Sequence, residues 1–366
     1  MPTLYLRDGI DIYTEELNSD FSNLFFVFNA TRKRIHLKVK NEFTSVLQYF
    51  DGVHSIENIY NSFNIDKYKL NNFILYLEEK GILLPTDWYD NIPFKEQYKN
   101  IIKKQLYFLL DMTNSPEAVH KLQSEIASTK IAIFGMGSTG SWFFLDLLQM
   151  GFINFKLIDF KQMKEDSITR HAFFSSSSIE SFKSEYYEKL AKRINPLAIV
   201  ESHNTSITTN FKLHECLHDI DIIINCADEP YIGYTSIFLS RYVIKHNKLL
   251  FVAGGFDAHL GCLGELITPY KTPCADCYDK YFKESLKDWK PSPHPVQDRT
   301  KGFGGLPSLS VFSASAGALS LLRYFINKQD FLKTANRRGE FKFDDYNIDS
   351  FTVDRNPSCE ICGDEY

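Results

Sequence analysis

The sequence predicts an α/β protein, a Rossmann-type, largely parallel sheet preceded by a small winged-helix-like domain. Three observations carry this. Gly135-x-Gly137-x-x-Gly140 stands between an apolar run and an amphipathic stretch. Apolar strand candidates at 130–134, 154–159, 222–226 and 249–253 alternate with helical segments, as parallel β-α-β units require. The first ~95 residues instead read as a hairpin followed by three short helices.

In chain order, Leu24–Asn29 and Arg34–Val39 are β-type runs joined by a polar turn. Three amphipathic helices follow, each with apolar residues at i, i+3, i+4 and i+7. The first carries Phe43, Val46, Leu47 and Phe50, and the second Ile56, Ile59, Tyr60 and Phe63 behind an N-cap at Ser55. The third carries Leu70, Phe73, Ile74 and Leu77, capped by Asp66. Gly81 closes this helix ahead of a short strand. The domains read as 1–95, a helical connector over 96–128, and 129–366.

The chain has 366 residues, enough for two or three domains, and a formal net charge of −5. That charge argues against general nucleic-acid binding, and the third helix offers Asn71, Asn72, Glu78 and Glu79 rather than a basic face. No apolar run is expected to reach the length that spans a bilayer, and no signal peptide is expected, which gives a cytoplasmic reading. Seven cysteines in a reducing compartment argue against a disulfide framework. Four form two Cys-x-x-Cys pairs, Cys274/Cys277 and Cys359/Cys362, with the spacing of a structural Zn²⁺ site; redox pairs and free thiols are the alternatives. Cys216, Cys226 and Cys262 read as inert thiols. In particular, the Asp228 charge would raise the Cys226 thiol.

The glycine loop can bring backbone N–H groups to a phosphate, and Asp159 follows Gly140 by nineteen residues, where a carboxylate can accept ribose hydroxyls. NAD and ATP are both compatible with this much. The next segments resemble the ThiF-like, or E1-like, adenylating enzymes. Ser167-Ile168-Thr169-Arg170-His171 stands for that family's Asn-Leu-x-Arg-Gln. A helix then begins near Lys183, and "NCADEP" contains Asp228. The resemblance runs from Lys130 to Gly363, and it implies ATP and Mg²⁺. Arg170 and Lys183 would be the phosphate cations, Asp228 the metal ligand, and Gly135, Gly137, Gly140 and Asp159 nucleotide contacts. Bland alternatives are an Arg170 ion pair with Glu165 or Asp166, a solvated Lys183, and a helix-capping Asp228.

The sequence departs from the family in three places. Lys161 replaces a second acid, Ser167 and His171 replace Asn and Gln, and no upstream arginine is present, only Lys103 or Lys104. The N-terminal segment resembles the PqqD-like peptide-recognition element, in which a leader peptide adds as a strand beside the hairpin. Together the two resemblances imply an adenylating enzyme of ribosomal-peptide biosynthesis acting on a precursor peptide, as a homodimer. It would act either by pantocin-type condensation or by microcin C-type nucleotide transfer. The alternatives are a sulfur-carrier adenylyltransferase and a non-catalytic scaffold with a decayed nucleotide site. The Pro- and Gly-rich stretch 288–308 is a candidate substrate loop, with His294 and Arg299 in it.

Overall fold

The computed structural model describes residues 3–63, 65–207, 212–254, 256–257, 260–290 and 306–363. His294 and Arg299 lie outside the described residues. The chain divides into two units, 1–124 and 125–366.

The first unit holds β1 (Leu4–Leu6), β2 (Ile10–Glu16), β3 (Phe21–Phe28), β4 (Arg34–Lys40), α1 (Asn41–Val46), α2 (Ile56–Ser62), α3 (Lys67–Glu79), β5 (Leu83–Pro85) and α4 (Glu96–Thr113). Strands β2, β3 and β4 form an antiparallel sheet in that order. Strand β3 alternates strictly, burying Leu24, Phe26 and Phe28 on one face. That face packs on Val46, Phe50, Ile59, Leu70, Ile74 and Leu77, residues of the helical stripes and the turn after α1. The predicted caps are present: Ser55 accepts from the Asn58 N–H and Asp66 from the Lys69 N–H. Gly81 turns the chain at φ +68° into β5, which pairs with β1. Strand β2, which the sequence reading did not include, adds a third strand to the hairpin. Helix α4 buries Ile102, Leu106, Leu109 and Leu110, and its Asp111 pairs with Arg7.

From α5 (Pro116–Ser128) the chain enters the second unit. There follow β6 (Lys130–Phe134), α6 (Ser138–Gln149), β7 (Asn154–Ile158), α7 (Lys183–Ile194), β8 (Ile199–His203), α8 (Leu213–Leu217), β9 (Ile222–Asn225), α9 (Ile232–His246) and β10 (Leu249–Val252). The chain then forms β11 (Phe256–Asp257), β12 (Leu260–Cys262), β13 (Glu265–Ile267), α10 (Ala275–Ser285), α11 (Pro307–Ile326), α12 (Lys328–Leu332), β14 (Arg337–Lys342) and β15 (Ile348–Thr352).

The main sheet runs β13-β10-β9-β6-β7-β8. Strands β6 to β10 are mutually parallel, and β13 is antiparallel to β10. Counting the parallel strands in chain order gives 3-2-1-4-5, the doubly wound order. Its switch point lies between β6 and β9, where ligands bind at the carboxyl ends of the strands. A second, antiparallel sheet runs β11-β12-β14-β15.

One expectation needs correction. Helix α11 is long enough and apolar enough in composition to cross a membrane, so an apolar run of that length does exist. Half of its apolar window is buried inside the unit. A Cβ at Gly317 would meet Phe143 at 2.2 Å and Phe251 at 2.8 Å, so glycine there lets α11 lie close on α6 and the sheet. Its small residues therefore serve core packing.

Candidate active site

The glycine loop lies at the switch point. Gly135 has φ +87°, and a Cβ there would sit 2.7 Å from the backbone of Cys226, just after β9. A Cβ at Gly140 would stand 1.9 Å from the Gly135 carbonyl oxygen, so the turn closes only with glycine. Gly137 is the N-cap of α6 and faces open space, which leaves the first N–H groups of the helix approachable.

Asp159 ends β7 and is 8% exposed. One carboxylate oxygen accepts the Met136 N–H at 2.7 Å, and the other the Lys161 N–H at 2.8 Å. The acid thus fixes the glycine loop. Each oxygen retains capacity for a further donor such as a ribose hydroxyl.

Beside it, at the carboxyl end of β7, is a cavity of about 560 Å³ lined by Lys161, Lys164, Asp166, Arg170 and Lys183 with Phe160 and Phe182. Four cations face one carboxylate, which makes this a place for an anion. Lys183 is 8% exposed at the first position of α7, so it is not a solvated surface lysine. Among the described residues its ammonium has no ion-pair partner. Burial pushes its pKa down and the Lys161 and Arg170 charges add to this, while Asp159 acts in the opposite direction.

Arg170 pairs with Asp166 at 3.3 Å, with both side chains more than half exposed. Such a pair contributes about 0–1 kcal/mol, so it holds Arg170 weakly and can yield to a phosphate. The Arg170 carbonyl accepts from the Ser138 hydroxyl at 3.0 Å and the Trp142 indole N–H at 3.2 Å. Both donors belong to the first turns of α6, so this backbone is tied to the helix that follows the glycine loop.

Asp228 is exposed on the loop after β9, one residue beyond the Cys226–Ala227 backbone that Gly135 abuts. Its neighbour Glu229 pairs with Lys161. The structure thus sets Arg170 and Lys183 in one cavity wall, and Asp228 on the loop whose next residue grips that wall. Desolvation and then the Asp228 charge push the Cys226 thiol up, against a nucleophilic role. Cys262 is buried and its thiol is likewise pushed up, chiefly by burial. Lys103 and Lys104 lie exposed on α4, with the Lys103 ammonium over the Tyr89 ring.

One site residue escaped the sequence reading. Lys164 carried no motif signal. His171 is 5% exposed, and burial first, then the Lys183 and Arg170 charges, push its pKa down to about 3.

The four paired cysteines converge although 81 residues separate the pairs in sequence. Their sulfurs all lie within 4.8 Å of one another. The Cys274–Cys277, Cys274–Cys359 and Cys277–Cys362 separations are 3.8, 3.6 and 3.6 Å. A tetrahedron with metal–sulfur bonds of ~2.3 Å has edges of ~3.8 Å, close to these three, so the set could hold a metal ion. No disulfide joins these thiols. The Arg355 guanidinium donates to the Cys362 carbonyl at 2.6 Å, and a Cβ at Gly363 would meet the Pro357 oxygen at 2.3 Å, which keeps the second knuckle tight.

Comparison with known proteins agrees with this geometry. The ThiF family model matches residues 111–361. The sulfur carrier protein adenylyltransferase of Thermus thermophilus is 22% identical over 263 residues, covering 68% of this chain and 88% of that protein. An adenylyltransferase and sulfurtransferase of Lodderomyces elongisporus is 21% identical over 245 residues; the match covers 66% of this chain and spans only 50% of that protein's length. Among solved structures, Escherichia coli MccB with ATP aligns at TM-score 0.67 and 20% identity, covering 98% of this chain and 99% of that one. A structure of PaaA aligns at TM-score 0.63 and 17% identity, covering 78% of this chain and 92% of that one. With a doubly wound sheet, a glycine loop at its switch point and a cationic cavity beside it, the chain belongs to the ThiF family of E1-like adenylating proteins.

Proposed function

We propose that this protein uses ATP to activate a carboxylate of a ribosomally made precursor peptide, captured through its N-terminal unit. The observation that carries the nucleotide part is the cavity that gathers Lys161, Lys164, Arg170 and a nearly buried, unpaired Lys183 beside the glycine loop. A carboxylate is ionised at neutral pH and needs no general base. Its oxygen attacks phosphorus, forming an acyl–O–P bond as the P–O bond to the leaving phosphate breaks. For attack at the α-phosphorus, the products are acyl-adenylate and pyrophosphate.

The protein's task is electrostatic, offsetting charge on the phosphorus centre and the departing group. Lys183 and Arg170 would do this, and Asp159 would accept the ribose hydroxyls. Asp228 would hold the Mg²⁺ that accompanies ATP and neutralises its phosphates. The four thiolates would hold a structural Zn²⁺; with every position taken by sulfur, no open site is left for catalysis. An internal nucleophile of the peptide would then close a ring, or the nucleotide would stay on its C-terminus. The active form would be a homodimer.

The peptide assignment draws on the N-terminal unit. The family model starts at residue 111, whereas the fold likeness to MccB extends over 98% of the chain. One of those MccB structures contains AMPCPP and MccA, and another N-formylated MccA. A three-stranded sheet with open edges at β2 and β4 offers backbone groups for strand addition. A second reading, sulfur-carrier adenylation, draws on the identity with the Thermus thermophilus enzyme and leaves the first unit without a task. The test is exchange of labelled pyrophosphate into ATP, with peptides encoded by short reading frames beside the gene and with a sulfur-carrier protein. Exchange only with a peptide supports the proposal. Exchange only with the carrier supports the second reading; no exchange, no AMP or ADP and no mass change with either defeats both.

A further inference from the structure

A second cavity, of about 370 Å³, lies on the opposite side of the glycine loop from the cationic one. Its walls come from α9, α10, β10, β13 and β14. Ile237, Val252, Tyr278, Phe282 and Leu286 make it largely apolar. Glu265 and Arg338 also line it. Glu265 opposes Val252 in the β10–β13 pairing, at the carboxyl end of β10, and is only 7% exposed.

This acid–base pair is incomplete. Glu265 Oε1 and Arg338 Nη1 are 3.7 Å apart, and the guanidinium lies over the Phe282 ring at 5.2 Å. Among the described residues, Glu265 Oε2 and Arg338 Nε are both buried without a hydrogen-bond partner. An unmet buried polar atom is destabilising, and here two belong to side chains that line one cavity. One is an acceptor and the other a donor. Burial raises the Glu265 pKa, in keeping with an acid short of partners.

An acceptor and a donor side by side match the N–H and C=O of an amide, and the surrounding walls match an apolar group attached to it. We propose that this cavity binds an amide-bearing apolar segment of the substrate peptide, with the Glu265 carboxylate accepting the amide N–H and the Arg338 guanidinium donating to the amide oxygen. The peptide assignment rests on the proposed function, whereas the amide chemistry does not. The location supports it: β10 and β6 are separated only by β9, about 10 Å, or roughly three residues of extended chain. A peptide anchored here can place its carboxylate at the glycine loop, in line with the cationic cavity beyond. Binding energy taken from such a remote segment serves orientation at the reacting centre.

The test uses 3-phenylpropanamide, its counterpart methyl 3-phenylpropanoate, which has no amide, and the full chain, read by saturation-transfer NMR. Wild type is expected to prefer the amide. Leu286→Trp narrows the mouth at a residue that is 55% exposed, so folding is spared, and it should weaken amide binding at least tenfold. Glu265→Gln should remove the preference for amide over ester. Equal binding of amide and ester by wild type, or no effect of Leu286→Trp, overturns the pocket. In the exchange assay the amide should raise the peptide KM and leave the ATP KM unchanged; an unchanged peptide KM overturns the peptide as occupant. If no peptide supports exchange or release of AMP or ADP, the proposed function falls while the NMR arm still decides the pocket.

Discussion

His171 provides a measurable consequence of the cationic cavity. Its Nδ1 lies 3.3 Å from the Tyr187 hydroxyl, which itself donates to the Ala172 carbonyl at 2.9 Å. Nδ1 therefore carries the proton, and Nε2 is buried without a partner. Protonating Nε2 would place a third positive charge near Lys183 and Arg170 in a desolvated site, hence the folded pKa of about 3 against an ordinary 6.5. A histidine depressed in the folded state binds its proton first in the unfolded chain. Its neutral form thus leaves stability intact above pH 6.5 and erodes it as pH falls from there toward 3. The loss is about 1 kcal/mol at pH 5.5 and about 3 kcal/mol at pH 4.5, from RT ln(1 + 10^(6.5 − pH)). At pH 5.5 the figure depends only on the unfolded value, provided the folded pKa lies well below it. His171→Gln removes the titration. Urea unfolding followed by tryptophan fluorescence suits the measurement, because Trp142 bonds to the adjoining Arg170 carbonyl. The wild-type-minus-variant difference should shift by about 1 kcal/mol between pH 7.5 and 5.5. A difference constant with pH would refute a neutral, charge-crowded His171.

Other substitutions probe the remaining parts of the site. Lys183→Met removes a buried charge with no ion-pair partner; differential scanning calorimetry should show an unchanged or higher Tm, while pyrophosphate exchange falls at least ~100-fold. Gly140→Ala drives a methyl into the Gly135 carbonyl oxygen, so it should cost about 1–3 kcal/mol in urea unfolding and weaken ATP binding in calorimetric titration. Cys362→Ser removes one corner of the thiolate tetrahedron; bound zinc measured by elemental analysis should drop, and Tm should fall with it. Chelator treatment of wild type should produce the same fall in Tm, reversed by added Zn²⁺.

The parts that were legible in the sequence share a local physical cause. Gly135, Gly137 and Gly140 are demanded by one turn and its close contacts, so the loop was readable within six residues. Strand β6 and the caps Ser55 and Asp66 likewise follow from short-range chemistry. The antiparallel sheet β11-β12-β14-β15 was not legible. Its strands are two to six residues long, one reads Arg-Arg-Gly-Glu-Phe-Lys, and the β12–β14 pairing that joins its two hairpins links segments distant in sequence. Burial of Lys183 is also a tertiary outcome, because a lysine opening a helix ordinarily faces water. Glu265 and Arg338 are 73 positions apart, and neither segment carries a motif that joins them. The paired cysteines are the exception among distant contacts, since thiol spacing alone predicts that the four sulfurs converge, as they do.

Isotope transfer tests the central claim most directly. A substrate peptide with its carboxylate labelled with oxygen-18 is turned over with ATP, and the phosphorus products are analysed by mass spectrometry. If the carboxylate is the nucleophile, then once a second nucleophile displaces the activated group, label appears in AMP for attack at the α-phosphorus or in phosphate for attack at the γ-phosphorus. Peptide conversion with no oxygen-18 in either product would contradict activation of a carboxylate by ATP.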